Sequence, residues 1–200
     1  MSVLVERAIA AAGLQDVLVQ RRAGDERSID VGRLLAADLL VLGALADRVR
    51  AEEVGPEVRV LVSARFADAG VSLVAPMGQD MTGLELLRAV AVARLTGRRA
   101  SIVRVDFARS GLEIAQIALG FGANELMGPI VSKSGAAFAQ GALVGVGRKS
   151  RWELATVARR REIEGFVRLA GREPVFVDAE GHGAAGAQRM AEDGGSRWKL

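Results

Sequence analysis

The chain contains no cysteine among its 200 residues, and this absence excludes several classes of chemistry. Without thiols there can be no disulfide, no thiolate nucleophile, and no iron–sulfur or zinc site held by cysteine. The one histidine, His182, lies in a glycine-rich stretch, so we expect neither a histidine metal cluster nor a Ser–His catalytic triad. Tyrosine is absent and aromatic residues make up 4% of the chain, so leucine, valine, alanine and isoleucine are expected to form the core.

Long apolar runs and a strong charge of one sign are lacking as well. The start of the sequence has no basic segment followed by a long apolar run, so we expect no signal peptide, no transmembrane span and a cytoplasmic location. The net charge is only +3, which argues against a nucleic-acid-binding surface. Half of the residues are hydrophobic, and that share is typical of a folded domain.

The spacing of the apolar residues predicts helices and strands in alternation. Two capping boxes, Thr82 with Glu85 and Ser110 with Glu113, mark the starts of two helices, and segment 21–30 is charged and loop-like. This alternation is typical of an α/β domain with parallel strands. The predicted helices cover 3–12, 34–53, 82–95, 110–119 and 150–171, and the extended segments cover 58–63, 71–75, 101–105, 125–130 and 174–178.

Several segments carry a family resemblance, in the same order along the chain as in the family. Segment 84–95, LELLRAVAVARL, is similar to a helix of the form LRTIAVARL, and segment 111–128, GLEIAQIALGFGANELMG, is similar to AQ-ALxFGANDLxG. Segment 161–178 contains AGREPVFVD, which is similar to AGRxPVxRD. These motifs belong to the radical-SAM enzymes that build menaquinone through futalosine, the aminofutalosine synthase and dehypoxanthine futalosine cyclase type. Segments 12–30 and 37–63 resemble the opening of the same family.

The chain departs from this family between residues 63 and 71. The family places its Cys-x3-Cys-x2-Cys loop and several βα units there, whereas this chain has only ARFADAG. A radical-SAM enzyme needs a cluster with thiolate ligands, so this chain cannot be a self-sufficient one. We therefore expect no cofactor: the iron–sulfur cluster is excluded by the absence of cysteine, and S-adenosylmethionine binding is not expected.

The resemblance also implies a fold and a domain division. It implies an α/β fold that is a reduced, open (βα) partial barrel related to the radical-SAM barrel, preceded by N-terminal helices. We expect a single domain over 1–178, with a helical part at 1–57 and the partial barrel at 58–178. Segment 179–200 is glycine-rich and polar, so we expect a flexible tail.

Five residues are candidates for binding a substrate. Arg104 and Asp106 end a predicted strand on the same side and can hold a carboxylate or a ribose, the alternative being a structural ion pair at the barrel rim. Asn124 and Glu125 suit ribose hydroxyls or a nucleobase edge, and the family usually has Asp in place of Glu125. The alternative is turn chemistry, in which two glycines, Gly120 and Gly122, supply positive φ angles. Gln79 follows a strand and can reach a ligand, or it caps a loop.

Three functions from different classes are consistent with these features. The first is a non-catalytic or divergent relative of the futalosine-pathway enzymes, which binds a nucleoside or acts as an accessory subunit in menaquinone biosynthesis. Its partners would be a second copy of the chain or a full-length family member, because a partial barrel leaves an apolar flank and unpaired strand edges. The second is a non-redox enzyme on the relic scaffold, with Asp106 and Glu125 as acid–base groups. The third is a pure protein-interaction module.

Overall fold

A computed structural model describes residues 3–61, 71–73, 81–128, 130–131, 136–139, 142–145 and 158–177. The predicted tail at 179–200 and the candidate Gln79 lie outside these residues. The described part contains eight α-helices and nine β-strands, together with a short 3-10 helix at Glu26–Ser28. In chain order they are α1 Val3–Ala11, α2 Gln15–Ala23, α3 Val31–Ala36, α4 Leu39–Val54, β1 Glu57–Leu61, β2 Val71–Leu73, α5 Gly83–Thr96, β3 Ile102–Asp106, α6 Phe107–Ser110, α7 Leu112–Leu119, β4 Glu125–Met127, β5 Ile130–Val131, β6 Ala136–Ala139, β7 Ala142–Gly145, β8 Ala158–Arg159, α8 Arg160–Leu169 and β9 Glu173–Val177.

The main sheet has five strands in the order β2-β3-β4-β1-β9, and every neighbouring pair is parallel. The predicted α/β class with parallel pairing is therefore confirmed. A second sheet has the order β7-β6-β5-β8, with two antiparallel pairs and one parallel pair. No helix within the described part of the chain has both the length and the apolar character needed to cross a membrane.

The two faces of the main sheet differ in chemistry because side chains alternate along each strand. One face carries buried apolar residues that share a core with helices α4, α5, α7 and α8: Val58, Val60, Val103, Val105, Leu126 and Phe176. The opposite face carries Arg59, Arg104, Asp106 and Glu125, and we call it the charged face. The helices thus cover the apolar face, and the polar chemistry of the sheet is concentrated on the other.

The helical part before β1 differs from the sequence prediction at two places. The helix predicted at 34–53 is two helices, because the chain is extended at Ala37 and Asp38. The Asp38 side chain accepts hydrogen bonds from the amides of Leu40 and Val41, at 3.0 and 3.1 Å, and so caps α4. The loop predicted at 21–30 is also wrong at its start, since α2 continues to Ala23.

One of the two predicted capping boxes is confirmed. Thr82 and Glu85 cap α5 reciprocally, as the sequence indicates. The box at Ser110 is wrong, because the Ser110 hydroxyl donates to the backbone oxygen of Asp106 and a separate short helix, α6, ends at Ser110. The following helix, α7, begins after Gly111, whose φ of 81° belongs to the left-handed region.

A buried arginine and a half-buried one join the N-terminal helices to the sheet and its connections. Arg21 of α2 donates to both carboxylate oxygens of Glu53 in α4 and to the backbone oxygen of Gly97, which follows α5. Arg172, just before β9, donates to both oxygens of Asp47 in α4, at 2.6 and 2.7 Å. These two charge-assisted pairs fix α4 against segments that are distant in sequence.

Two helix-interior glycines provide a matched test of the packing between α4 and the turn before β4. A Cβ at Gly43 would lie 2.6 Å from ring atoms of Phe121, whereas a Cβ at Gly165 of α8 would meet nothing within 4 Å. We expect Gly165→Ala to raise the free energy of unfolding by about 0.5–1 kcal/mol. We expect the free energy of unfolding of Gly43→Ala to be about 1–3 kcal/mol lower than that of Gly165→Ala, because the Phe121 ring must move. Urea unfolding of both variants measures the difference, and equal values would contradict the packing described.

Candidate functional site

Strand register brings three charged residues to one level of the charged face. Glu125, the first residue of β4, is in register with Arg59 of β1 on one side and with Arg104 of β3 on the other. Residues in register on neighbouring strands present their side chains on the same face. We call this set of three, Arg59, Glu125 and Arg104, the charged row.

Glu125 is fully buried at the centre of the charged row, with 0% of its side chain exposed. Arg104, also buried, donates from Nε to Glu125 Oε1. On the other side, the Nε atom of Arg59 lies 3.3 Å from Glu125 Oε2, and 31% of the Arg59 side chain is exposed. The row therefore runs from a buried arginine through a buried carboxylate to a partly exposed arginine.

The buried Glu125 carboxylate depends on these two arginines to compensate its charge. Removing a partner of a buried ion pair typically costs about 3–5 kcal/mol, because the remaining charge is left uncompensated. Glu125 has two guanidinium groups beside it, so the loss of one leaves the other in place. This redundancy matters for experiments, since either arginine can be replaced without leaving Glu125 without a cation.

Asn124 is a junction between strands and helix rather than an open ligand group. Its side-chain oxygen accepts hydrogen bonds from the Val103 amide at 2.8 Å and from Arg94 at 2.7 Å. Its backbone oxygen accepts from the Arg59 amide, and its own amide donates to the Val103 oxygen. The expected local turn chemistry is corrected in one respect: Gly122 has a positive φ of 99°, but Gly120 is right-handed with a φ of −79°.

Arg94 of α5 holds the segment that leads into β4. Its side chain is fully buried and donates to the backbone oxygens of Gly122 at 2.8 Å and Ser101 at 2.9 Å, in addition to Asn124. Burial lowers the pKa of Arg94 to about 10, although Glu53 opposes the shift. This arginine therefore remains a cation at neutral pH and fixes both the turn and the Asn124 side chain.

Asp106 ends β3 on the charged face, two residues beyond Arg104. Its side chain accepts a hydrogen bond from the Ala108 amide at 2.9 Å and caps α6. Burial raises the pKa of Asp106, and the Ala108 amide and Arg109 oppose this rise. Arg104 and Asp106 share a face as expected, but the ion pair that Arg104 makes in the row is with Glu125.

Arg59 and Arg94 are not among the site residues predicted from the sequence, although each has a signal there. Arg59 lies in Val58-Arg59-Val60, and Arg104 lies in the same pattern, Val103-Arg104-Val105. A lone arginine between two core-facing valines marks the opposite face of a strand, so the two strands could have been compared. Arg94 is the one charged residue in the apolar stretch 89–95, which could have indicated a buried hydrogen-bonding role.

The charged face contrasts with a shallow surface cleft between α2 and α4. Two arginines of its lining already pair with two of its glutamates, Arg21 with Glu53 and Arg22 with Glu52, each at 2.6–2.7 Å. Within the described ranges, no three acidic or histidine side chains come together as a group that could hold a metal ion. The charged row and Asp106 are thus the polar cluster that we take as the candidate site.

Comparison of the chain with models of known protein families gives no match, and comparison with curated proteins gives none either.

The raised pKa of Asp106 predicts a pH dependence of stability. Because the folded-state pKa lies above the unfolded one, the folded protein binds more protons, and the stabilising effect is present below the unfolded pKa. This stabilising effect is lost as the pH rises through the pKa that Asp106 has in the folded protein. We therefore expect the free energy of unfolding of the wild type, minus that of Asp106→Asn, to fall as pH increases from about 3.5 to 7.

Urea unfolding of both proteins across this range measures the difference. Asparagine retains an oxygen that can cap α6, so the cap is kept in the comparison. Carboxylates with lowered pKa values, such as Asp16 and Glu52, are shared by both proteins and cancel. A difference that stays constant or rises with pH would contradict the burial of Asp106.

Proposed function

We propose that the protein is a non-catalytic relative of the radical-SAM futalosine-pathway enzymes that binds a nucleoside on the charged face of its sheet, alone or as an accessory subunit of a complete family member. The observation that carries this proposal is the charged row together with Asp106, on a face of a parallel sheet. Parallel sheets are normally covered by apolar side chains on both faces, so charged residues on one face require an explanation.

A partial barrel would explain the charged residues on this face, because the inner face of a βα barrel carries its ligand-binding residues near the carboxyl ends of the strands. Asp106 occupies such an end, and β9 lies beside β1, as the last and first strands do in a closed barrel. The neighbour relation of β1 and β4 differs from sequential barrel order, in which β9 would lie between them. The main sheet would therefore be a rearranged remnant of a barrel that has kept the inner face.

The residues of the charged face suit a nucleoside in distinct ways. Asp106 offers carboxylate oxygens to ribose hydroxyls, and the partly exposed guanidinium of Arg59 can stack on a base or donate to it. Asn124 contributes through the backbone, since its side-chain oxygen already accepts two hydrogen bonds from the protein. The lack of cysteine is the sequence basis for a role without radical chemistry.

A second candidate, a non-redox enzyme, is favoured by one observation. Burial raises the pKa of Asp106, which moves this carboxyl toward the range in which a general acid or base operates near neutral pH. Glu125, also a sequence candidate for this role, is less suited to it, because both of its oxygens lie next to arginines. In this candidate function Asp106 alone would transfer the proton.

Calorimetric titration tests the proposal directly. We expect a futalosine-type nucleoside and adenosine to bind, and S-adenosylmethionine not to bind after anaerobic reconstitution. Asp106→Asn should weaken nucleoside binding about tenfold, because a hydrogen bond to a charged group contributes roughly 1.5–3 kcal/mol. The matched control is Asp38→Asn, another helix-capping aspartate, located at α4, which should leave the affinity unchanged.

Two results would count against the proposal. If no nucleoside binds, the small-ligand function fails and a search for a protein partner takes its place. If the nucleoside is consumed in the titration, chromatography of the products distinguishes binding from turnover. Loss of that turnover in Asp106→Asn, but not in Asp38→Asn, would establish the enzyme instead.

A further inference from the structure

Strand β9 forms one edge of the main sheet within the described part of the chain. It pairs with β1 in a parallel ladder on one side, and the strand order places no described strand on its other side. An edge strand presents backbone donors and acceptors with which a strand of another chain can pair. A partner subunit could therefore extend the sheet at β9, unless this edge is built to prevent it.

The hydrogen bonds of β9 identify which of its backbone groups point outward. The Glu173 amide donates to the backbone oxygen of Pro56, which directly precedes β1, at 3.0 Å. Successive residues of a strand turn their backbone groups to opposite sides. The amides of Glu173 and Val175 therefore face β1, whereas position 174 and the Phe176 amide face outward. Position 174 is a proline, which has no N–H to donate.

This placement of Pro174 fits the end of a sheet and does not fit an inner strand. Pro174 is in register with Val58 of β1, so it lies inside the ladder. In an inner strand a proline leaves an acceptor of the neighbouring strand without its donor, which confines prolines to edges, strand starts and bulges. Charged side chains beside an edge also keep other strands away. Here Glu173 is exposed at the start of β9, and the Arg160 guanidinium lies 4.0 Å from the centroid of the Phe176 ring.

We infer that β9 is the natural end of the main sheet and that Pro174 blocks the addition of a further strand there, whether from a second copy of this chain or from a complete family member. The inference goes beyond the proposed function and does not depend on nucleoside binding. It restricts the accessory-subunit form of that function, because a partner must then dock at a surface other than the β9 edge. The partial barrel accordingly stays open at β9.

Hydrogen exchange followed by NMR tests this edge in the wild-type protein. We expect the Phe176 amide to exchange at least about tenfold faster than the Val175 amide, because the Val175 amide faces its acceptor in β1. The two amides are neighbours in one strand, so local opening of β9 affects both alike. A Phe176 amide as well protected as that of Val175 would show that the outer edge is covered, and it would overturn the inference.

The variant Pro174→Val restores the missing donor and places a β-branched side chain, which suits a strand, at the edge. Pro56→Val is the matched control, because it removes a proline beside the same ladder and its new N–H faces β9, not the outer edge. Both substitutions release the restriction that a proline places on the unfolded chain. Thermal unfolding verifies that each variant is folded.

Sedimentation velocity compares the association of these proteins. We expect the average mass of Pro174→Val to rise with protein concentration above the values shared by the wild type and Pro56→Val. Where Pro174→Val associates, its Phe176 amide should exchange at least about tenfold more slowly than in the wild type, because the new strand supplies an acceptor.

Two results would contradict the role of Pro174. The first is an association of Pro174→Val that is no stronger than that of Pro56→Val. The second is an association that leaves the Phe176 amide unprotected, since the copies would then meet at another surface. If Pro174→Val does not fold, the exchange rates of the wild type decide the inference by themselves.

Discussion

The burial of Glu125 between two arginines is the constraint on which the arrangement of the main sheet depends. A fully buried carboxylate is stable only with cations and donors beside it, and here they come from both neighbouring strands. Any shift of β4 by one residue would place Glu125 on the apolar face, against the helices. The charge thus specifies both the register and the face of the central strand.

The register is enforced a second time by hydrogen bonds that involve no ion pair between strands. Asn124 bonds to Val103 of β3 through its side chain and backbone, and to Arg59 of β1 through its backbone oxygen. Arg94 then fixes the Asn124 side chain from α5. Asn124 directly precedes Glu125, and Arg94 holds the Asn124 side chain in place. The geometry of the charged row is therefore set by packed secondary structure rather than by exposed loops.

The sequence predicted the elements that depend on local signals and failed where distant contacts decide. The capping box at Thr82 and the strands predicted at 58–63 and 101–105 follow from short patterns. The structure confirms the box and places strands at Glu57–Leu61 and Ile102–Asp106, while residues 62 and 63 lie outside the described part of the chain. The break before α4 and the short helix α6 depend on aspartates, Asp38 and Asp106, whose capping role was not recognised. The second sheet arises in a glycine- and alanine-rich stretch that has no clear period.

In the candidate site, too, local patterns predicted some features and distant contacts decided the others. Alternation along a strand was enough to place Arg104 and Asp106 on one face. The pairing of Arg104 with Glu125 could not be derived, because it requires knowing that β3 and β4 are adjacent and in which register. The neighbourhood of Arg59 and Glu125 is harder still to derive, since β1 and β4 are separated by three helices and two strands in the chain. Spatial neighbours of this kind are set by topology, which a single sequence specifies only weakly.

Charged residues on a sheet face reduce the apolar area that the fold can bury there, so their presence has a cost in stability. Leu61 and Val177 are buried, yet they are not part of the core beneath the helices, which shows that apolar side chains are tolerated on the charged face. The arginine at position 59 differs from these apolar neighbours in lying beside the buried Glu125 carboxylate. A partly exposed guanidinium beside a buried carboxylate compensates that charge, so the Arg59 side chain offsets part of the cost of burying Glu125 while its own end stays in contact with solvent.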